Sequence, residues 1–156
     1  MKTGLSVASC ELGRGLFAGR PYRPGELILV LRGLRYDQGD PIHLSALGAN
    51  LLQTGPRSYI LPLPPGVFVN HSCNPNAGVH RNRRLIAIRA IEPGQEIRFD
   101  YSTTMDEDFW TMDCRCGENT CRRVIGDFKY LPLDLQAHYL ELGVVPKFIA
   151  KKMVRA

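Results

Sequence analysis

The chain has 156 residues, a hydrophobic content of 44% and a formal net charge of +5 at pH 7. This length suits one compact domain with at most a small appendage. No apolar run approaches the about 20 residues that a membrane-spanning helix needs, and the first residues lack the apolar core of a signal peptide. We therefore expect a soluble intracellular protein, in the nucleus or the cytoplasm, that has no membrane partner.

The positive charge does not by itself indicate a nucleic-acid partner. The basic residues are scattered along the chain and are densest at 80–84, 121–123 and 147–155. Scattered bases are typical of solvated surfaces, whereas a nucleic-acid interface concentrates them on one face. Direct nucleic-acid binding is therefore not expected. The acidic run 106–108 is a place that favours a cationic substrate.

The first hundred residues predict short strands separated by turns. Apolar alternation and Pro-Gly turns indicate strands, in chain order, at 6–10, 15–19, 26–31, 58–63, 67–70, 84–91 and 95–101. In the last of these, Ile97 and Phe99 point to one side and Arg98 and Asp100 to the other. Residues 44–52 predict a short helix. The fold class is therefore mainly β.

The composition changes after residue 101, where an acidic stretch leads into a group of cysteines and then into two predicted helices. The first helix, at 131–143, ends at Gly143, and its apolar positions are Leu133, Leu135, Ala137 and Leu140. Pro146 begins the second helix, which is short and basic and covers 147–156. We expect a mainly β domain that carries short C-terminal helices.

Three of the five cysteines fall within eight residues, as Cys114-x-Cys116-x4-Cys121. In a reducing compartment this spacing favours metal binding over disulfide formation. Zinc takes four ligands in a tetrahedron, so three cysteines leave one position for water or for a distant residue. Cys73 lies in a polar turn and is our choice for the fourth ligand, while Cys10 sits among strand residues and is interpreted as structural. The alternative is a polar tail that carries three free thiols.

Four separated segments, "GRG" (13–15), "NHSCNPN" (70–76), "EPGQEIRFDY" (92–101) and "CRCGENTC" (114–121), resemble the SET-domain protein-lysine methyltransferases with a zinc-binding post-SET segment. The similarity covers roughly residues 5–125. No cysteine-rich pre-SET region precedes it, so the chain resembles a minimal member.

The resemblance implies a fold of several small curved sheets with a pseudoknot, a zinc-bound post-SET tail and short C-terminal helices. The segment 92–103 would thread under a loop, which would bring "NHSC" beside "FDY". The implied domains are a SET domain at 1–110, a post-SET zinc segment at 111–126 and a helical extension at 127–156. The implied cofactors are S-adenosylmethionine and one structural Zn²⁺, with ligands Cys73, Cys114, Cys116 and Cys121.

The resemblance also assigns roles to four side chains near the predicted active site. Tyr101 matches the tyrosine whose hydroxyl lies beside the transferred methyl and the amine. Phe99 matches the position that tunes the product, where phenylalanine leaves room for di- or trimethylation. Asn70 would hold the amino-acid end of the methyl donor, and His71 would bond its adenine through the backbone. The catalytic residues are thus predicted to be Tyr101 and Phe99.

The glycines of the first motif are expected to let the backbone approach the cofactor, which adds Arg14, Gly15 and Leu16 to the cofactor site that Asn70, His71 and Tyr101 already form. Glu96 is interpreted as structural. The remaining motif residues are also expected to be structural, with Asn76 stabilising its loop and Asp100 the end of a strand.

Some positions depart from the family pattern. Leu31 stands where many histone-directed members have a tyrosine, Val67 where many have an arginine, and Val124 where an aromatic residue is common. We expect Phe128 or Trp110 to cover the adenine instead. These departures bear on substrate choice and cofactor affinity more than on the reaction class.

The leading hypothesis is a protein-lysine N-methyltransferase, and its partner is a lysine-containing protein or peptide, with histones among the candidates. One alternative is a catalytically inactive SET-like module that retains zinc and binds other proteins. The other is a small zinc-dependent nucleic-acid binder. The sequence does not specify the substrate, the target lysine or the oligomeric state.

Overall fold

The computed structural model describes residues 4–154, which form four small β-sheets followed by two short helices. The strands in chain order are β1 (Leu5–Cys10), β2 (Gly13–Ala18), β3 (Leu27–Val30), β4 (Gly33–Asp37), β5 (Leu52–Gly55), β6 (Ser58–Pro62), β7 (Asn70–His71), β8 (Ala77–His80), β9 (Arg84–Ala87), β10 (Glu96–Phe99), β11 (Thr111–Asp113) and β12 (Val124–Gly126). The prediction of a mainly β fold built from several small sheets is confirmed.

The strand order shows which distant segments meet. One sheet has the order β1–β2–β10–β7, a second β3–β9–β8, a third β4–β6–β5, and β11 pairs with β12 alone. The sequential hairpins are local, whereas the insertion of β10 between β2 and β7 joins segments that are far apart in the chain. The first sheet therefore assembles three of the four motifs.

The contact between β7 and β10 is parallel and short. Arg98 pairs with Asn70 and Phe99 with His71, and the amide of Ser72 donates to the carbonyl of Phe99 over 3.1 Å. The expected approach of "NHSC" to "FDY" is confirmed by this pairing. The threading of 92–103 under a loop stays a prediction.

The main core contains side chains from the first three sheets. Alternation along β2, β8, β9 and β10 turns one side of each strand inward, and the hydrophobic effect favours burial of that side. The fully buried side chains of this core are Leu16, Ile60, Val79, Leu85, Ala87, Ile91 and Ile97. Phe99 joins the same core at the end of β10.

The two helices are α1 (Leu133–Glu141) and α2 (Lys147–Val154), and both were predicted. Gly143 follows α1 with a φ of +71°, a conformation that suits a glycine at a helix end. The predicted apolar positions of α1 were partly wrong, because Leu133 is 82% exposed and Ala137 is also exposed. The buried side chains of α1 are instead Gln136 and Tyr139.

These helices build a second core against the sheet that contains β9. Its buried members are Phe128, Leu131, Tyr139, Val144, Val145 and Ile149, and Ile86 and Ile88 pack against them. The close approach depends on Gly78, where a Cβ would lie 2.6 Å from a methyl carbon of Val144. The C-terminal segment is thus packed onto the sheets.

Three local predictions were wrong in detail. Residues 44–52 do not form one helix but two 3-10 turns, Pro41–Leu44 and Ala46–Asn50, followed by β5. The strand predicted at 67–70 is a 3-10 turn, Gly66–Phe68, and only its end enters β7. The strand predicted at 84–91 ends at Ala87. Short apolar runs are compatible with either structure, and tertiary contacts decide between them. No helix in residues 4–154 is long and apolar enough to cross a membrane.

Candidate active site and cysteine cluster

Tyr101 begins a 3-10 turn directly after β10, and three contacts hold it. Its hydroxyl donates to the carbonyl of Val69 over 2.7 Å, and its backbone amide donates to Nδ1 of His71 over 3.0 Å. Its ring lies 4.9 Å from the ring of Phe99, centroid to centroid. Burial raises the pKa of the Tyr101 phenol, so the hydroxyl stays protonated at neutral pH.

Tyr101 lies between two cavities and lines both of them. The larger cavity has a volume of about 590 Å³ and also contacts Phe99 and Leu31. The smaller, of about 310 Å³, is lined by Leu12, Ala49, Asn50, Asn70, His71, Tyr101, Met112, Asp113, Cys114, Arg115 and Cys116. Both volumes are typical of small-molecule sites. Tyr101 thus shares the wall between the two cavities with Ala49 and Asn50, which also line both.

Asn70 projects into the smaller cavity with its amide nitrogen already engaged. That nitrogen donates to the carbonyl of Arg14 and to Oε1 of Glu96, both over 2.9 Å, and lies 3.5 Å from Sγ of Cys10. Because the nitrogen is fixed, the amide oxygen of Asn70 is left to meet a ligand. Cys10 is therefore a neighbour of the site, although the sequence indicated only a structural role.

Gly15 makes room for this arrangement. A Cβ at Gly15 would lie 2.5 Å from Oε1 of Glu96 and 3.3 Å from Sγ of Cys10. The sequence predicted that the glycine admits the cofactor, but in the structure the close neighbour is the carboxylate that orients Asn70. Glu96 was interpreted as structural, and here it is the hydrogen-bond acceptor that positions a site residue.

Arg14 and Leu16 are not on the walls of the two cavities. The Arg14 guanidinium stacks on the ring of Phe68, 4.6 Å from its centroid, and only the Arg14 carbonyl meets Asn70. The Leu16 side chain is fully buried in the main core. A contact of either residue with a cofactor would have to involve the backbone.

His71 connects Tyr101 to the cysteine cluster. Its Nδ1 accepts the Tyr101 amide proton, so we assign the remaining ring proton to Nε2, which lies 3.2 Å from Sγ of Cys73. The side chain is buried, and burial lowers the pKa of His71 to about 4 in spite of the nearby carboxylate of Asp100. The ring is therefore neutral and rigidly held.

The carboxylate of Asp100 is almost fully buried and accepts hydrogen bonds from three parts of the chain. Arg122 donates to both oxygens over 2.9 and 2.8 Å, and the Tyr139 hydroxyl donates to one of them over 2.9 Å. The amide of Ser102 donates over 3.1 Å. A buried charge needs this degree of pairing. The sequence predicted that Asp100 fixes the strand end, but it did not identify Arg122 or Tyr139.

The four predicted zinc ligands converge. The sulfur atoms of Cys73, Cys114, Cys116 and Cys121 all lie within 4.8 Å of one another. Those of Cys73 and Cys114 are 3.7 Å apart, and four thiolates bound to zinc at about 2.3 Å form a tetrahedron with edges of about 3.8 Å. The donor set and its spacing therefore fit a tetrahedral Zn²⁺.

The thiol pKa values show why a cation suits this cluster. Burial raises the pKa of Cys73 to about 11 and also raises that of Cys114. At Cys116 burial acts in the same direction, but hydrogen bonds from the amides of Cys73 and Glu118 outweigh it and lower the pKa to about 7. A bound metal ion would stabilise all four thiolates together.

A salt bridge joins β10, the strand that leads to Tyr101, to the segment that carries Cys114, Cys116 and Cys121, which we call the cysteine segment. Arg98 of β10 donates to the carbonyl of Cys116 over 3.0 Å and to the carboxylate of Glu118 over 2.9 Å. Its side chain is 22% exposed, so solvent screens this pair only in part. The cysteine segment is thus bound to β10 through Cys116 and Glu118, and the sulfur of Cys73, two residues after β7, accepts from the amide of Arg122.

The residues expected to cover the adenine occupy different places. Phe128 is fully buried in the second core and lines neither cavity, so of the two expected residues only Trp110 remains a candidate. Trp110 lines the larger cavity.

Val124, where an aromatic residue is common in the family, is 56% exposed. Leu31 and Val67, two other departures from the family pattern, both line the larger cavity.

Comparison with known proteins places this fold and site in one class. The SET domain family model matches residues 13–102, and the chain belongs to that family. Its relatives include Histone-lysine N-methyltransferase Su(var)3-9 of Drosophila melanogaster, 30% identical over 115 residues, a match that covers 60% of this chain and 18% of the relative. Histone-lysine N-methyltransferase ash1 of the same organism is 39% identical over 66 residues, covering 38% of this chain and 3% of the relative.

A third relative is the Histone-lysine N-methyltransferase, H3 lysine-36 specific, of Candida albicans, 43% identical over 68 residues, covering 39% of this chain and 8% of the relative. The chain thus spans less than a fifth of the length of these curated relatives. The crystal structure of a candidate histone methyltransferase from Plasmodium falciparum superposes with a TM-score of 0.53 at 22% identity, covering 65% of this chain and 95% of that one. That likeness supports the fold.

Proposed function

We propose that this chain is an S-adenosylmethionine-dependent protein-lysine N-methyltransferase. The observation that carries the proposal is the position of Tyr101, which lines both cavities and is held by the β7–β10 pairing. One cavity would take the methyl donor and the other the lysine. Membership of the SET family and the names of its relatives support the same activity.

The smaller cavity contains the residues that would hold the methyl donor. Asn70 and His71 line the cavity, and the Arg14 carbonyl, outside its wall, fixes the amide nitrogen of Asn70. The resemblance adds the backbone of Gly15 and Leu16 to this set. When bound, S-adenosylmethionine would supply an electrophilic methyl group on a sulfonium. Residues 112–116 also line this cavity, so its shape depends on the cysteine segment.

The catalytic task of the chain is alignment. Methyl transfer needs a neutral amine in line with the methyl group, and positioning contributes most of the acceleration in such a displacement. Because burial raises the pKa of Tyr101, its hydroxyl acts as an orienting group and not as a base. Its proton is directed to the carbonyl of Val69, so its oxygen lone pairs are free to accept a hydrogen bond from the amine. Desolvation in the apolar cavity favours loss of the lysine proton.

Phe99 would set the number of methyl groups transferred. Its ring is buried, packs against Tyr101 and carries no hydroxyl to hold a water beside the amine. Space without a bound water lets a methylated amine rotate and react again. We therefore propose that the enzyme can di- or trimethylate its target.

The substrate is proposed to be a lysine-bearing protein or peptide, and histones are the first class to test because the curated relatives are named for them. A histone target would place the protein in the nucleus. The domain limits proposed for this activity are a SET domain at 1–110, a structural zinc segment at 111–126 whose three cysteines bind Zn²⁺ together with Cys73, and a helical extension at 127–156.

The proposal is tested by incubating the protein with a labelled methyl donor and a histone mixture, in parallel with a host proteome. We expect labelled lysine, and we expect Tyr101→Phe to reduce the rate by about 100-fold while cofactor binding is retained and the protein stays folded, with only the modest loss of stability that removal of the hydrogen bond to Val69 causes. Tyr130→Phe is the matched control, since Tyr130 is 65% exposed. Cofactor binding without labelled lysine in either mixture would favour the inactive module, and undiminished labelling by Tyr101→Phe would exclude the role of this hydroxyl.

A further inference from the structure

The acidic run 106–108 is divided by the fold into two paired carboxylates and one unpaired carboxylate. Asp106 forms a salt bridge of 2.5 Å with Lys152 of α2, and Asp108 forms one with Lys129. Glu107 lies between them and has no cationic partner among residues 4–154. Of the three acidic residues that the sequence suggested for binding a cationic substrate, only Glu107 therefore has no cationic partner in the described part of the chain.

Glu107 lines the larger cavity, which Tyr101 and Phe99 also line. Within the described part of the chain, the lining of this cavity contains one carboxylate and no lysine or arginine. The Tyr59 hydroxyl donates to Oε1 of Glu107 over 2.7 Å, and the Glu107 amide donates to Asp127 over 2.8 Å. The side chain is thus held in place while its second oxygen is left without a partner among residues 4–154.

A single carboxylate on a cavity wall that is mostly apolar favours a cationic ligand. Coulomb attraction is stronger where water is excluded, and a charge-assisted hydrogen bond would occupy the free oxygen. The aromatic residues Phe109 and Trp110 line the same cavity, and aromatic faces bind guanidinium groups well. A wall that carries both a carboxylate and aromatic rings therefore favours a ligand with an arginine side chain over one with a neutral side chain.

The cation is not the target lysine, because methyl transfer needs that amine neutral at the end near Tyr101. A carboxylate in contact with the amine would raise its pKa and hold the proton. Tyr59, which orients Glu107, belongs to the β4–β6–β5 sheet and not to the sheet of β10. The volume of about 590 Å³ leaves space for a second side chain.

We propose that Glu107 forms a subsite for a basic side chain that flanks the target lysine, so that preferred substrates carry an arginine at a fixed distance from it. This inference rests on the proposed function, since it assigns the larger cavity to the substrate. It names a sequence feature of the substrate that the family assignment does not provide.

The test measures binding and is independent of catalysis. Fluorescent peptides with one lysine in a neutral background, and with one arginine moved stepwise along each side of it, are titrated with the full chain and followed by anisotropy. We expect one register to bind about tenfold more tightly than the peptide without arginine, which is the effect of one charge-assisted hydrogen bond. Glu107→Gln should abolish this difference, and Glu107→Lys should transfer the preference to a peptide with glutamate in that register. Asp134→Asn, which removes an exposed carboxylate on α1 outside both cavities, is the control.

Equal affinity for all peptides, absence of peptide binding, or an arginine preference that survives in Glu107→Gln would overturn the subsite. The proposed function fails in a different way. If arginine-dependent binding is found but no peptide or protein is ever methylated, the subsite stands and the activity does not.

Discussion

The hydroxyl of Tyr139, in the first C-terminal helix, donates a 2.9 Å hydrogen bond to Asp100, the residue immediately before Tyr101. Both side chains are buried, at 2% and 1% exposure, and the carboxylate is shared with Arg122 from the cysteine segment. The helical extension and the cysteine segment therefore meet at one carboxylate beside the proposed catalytic tyrosine. This arrangement makes the position of Tyr101 dependent on segments outside the sheets.

Removal of this hydrogen bond should cost stability. Tyr139→Phe deletes one donor to a buried carboxylate, and we expect the free energy of unfolding to fall by about 1.5 to 3 kcal/mol in chemical denaturation. Asp100→Asn should cost more, because it leaves the Arg122 guanidinium without its charged partner. Tyr130→Phe is the control with an exposed hydroxyl. Equal stability of Tyr139→Phe and Tyr130→Phe would contradict the role of Tyr139.

The cysteine cluster should control cofactor affinity. We expect about one zinc per chain by elemental analysis, and Cys73→Ser should lower that content because zinc needs four ligands. The same variant, or chelation of the wild type, should weaken binding of the methyl donor about tenfold, since His71 links Cys73 to Tyr101 and residues 112–116 line the smaller cavity. Calorimetry measures the affinity.

Cys10→Ser is the matched control for that experiment, because Cys10 is a partly exposed cysteine outside the cluster. It should keep its zinc. Unchanged zinc in Cys73→Ser would exclude Cys73 as a ligand, and lost zinc with unchanged donor affinity would exclude the coupling.

The side chain at position 99 should determine how many methyl groups the enzyme transfers to one lysine. Mass spectrometry of substrate methylated to completion should show more than one methyl on a lysine with the wild type. Phe99→Tyr adds a hydroxyl beside Tyr101, which would hold a water and stop the reaction at the monomethyl product. Phe109→Tyr adds the same group at the exposed edge of the same cavity and should leave the product unchanged. Only monomethyl product from the wild type at long times would show the reasoning about Phe99 to be wrong.

Asp127 should make stability depend on pH. Its carboxylate is buried, one oxygen accepts the amides of Glu107 and Asp108, and the other has no partner among residues 4–154. Burial raises its pKa from 3.8 to about 6. Because the folded state then holds the proton more tightly than the unfolded chain, this contribution to stability is present below about pH 4 and is lost as the pH rises to about 6.

Asp127→Asn keeps an oxygen for the two amides but cannot ionise. Relative to the wild type, the variant should gain about 2 to 3 kcal/mol in the free energy of unfolding between pH 4 and pH 7, measured by denaturation at each pH. Asp134→Asn is the control, since Asp134 is exposed in the first turn of α1. Identical pH curves for the two variants would argue against a buried, protonated Asp127.

Much of the site followed from local patterns in the sequence. Alternation placed Ile97 and Phe99 on the buried side of β10, and both are buried in the structure. The spacing of Cys114, Cys116 and Cys121 indicated metal ligands, because three soft donors so close in the chain meet with little loss of entropy. These are short-range features, and the side-chain period of a strand or the reach of a turn is sufficient to predict them.

The tertiary structure alone decided how those pieces act together. Asp100 is 22 residues from Arg122 and 39 from Tyr139, and no local period reports a contact over such a distance. Packing also buries Tyr139 and leaves Leu133 exposed. The buried position favours Tyr139 because its hydroxyl donates a hydrogen bond to the buried carboxylate of Asp100, which an aliphatic side chain could not do. The sequence by itself determined the family, the mainly β class and the four cysteines that form one cluster. Only the folded chain determined which acidic residue faces the cavity and which segments hold Tyr101, since both depend on long-range burial and charge pairing.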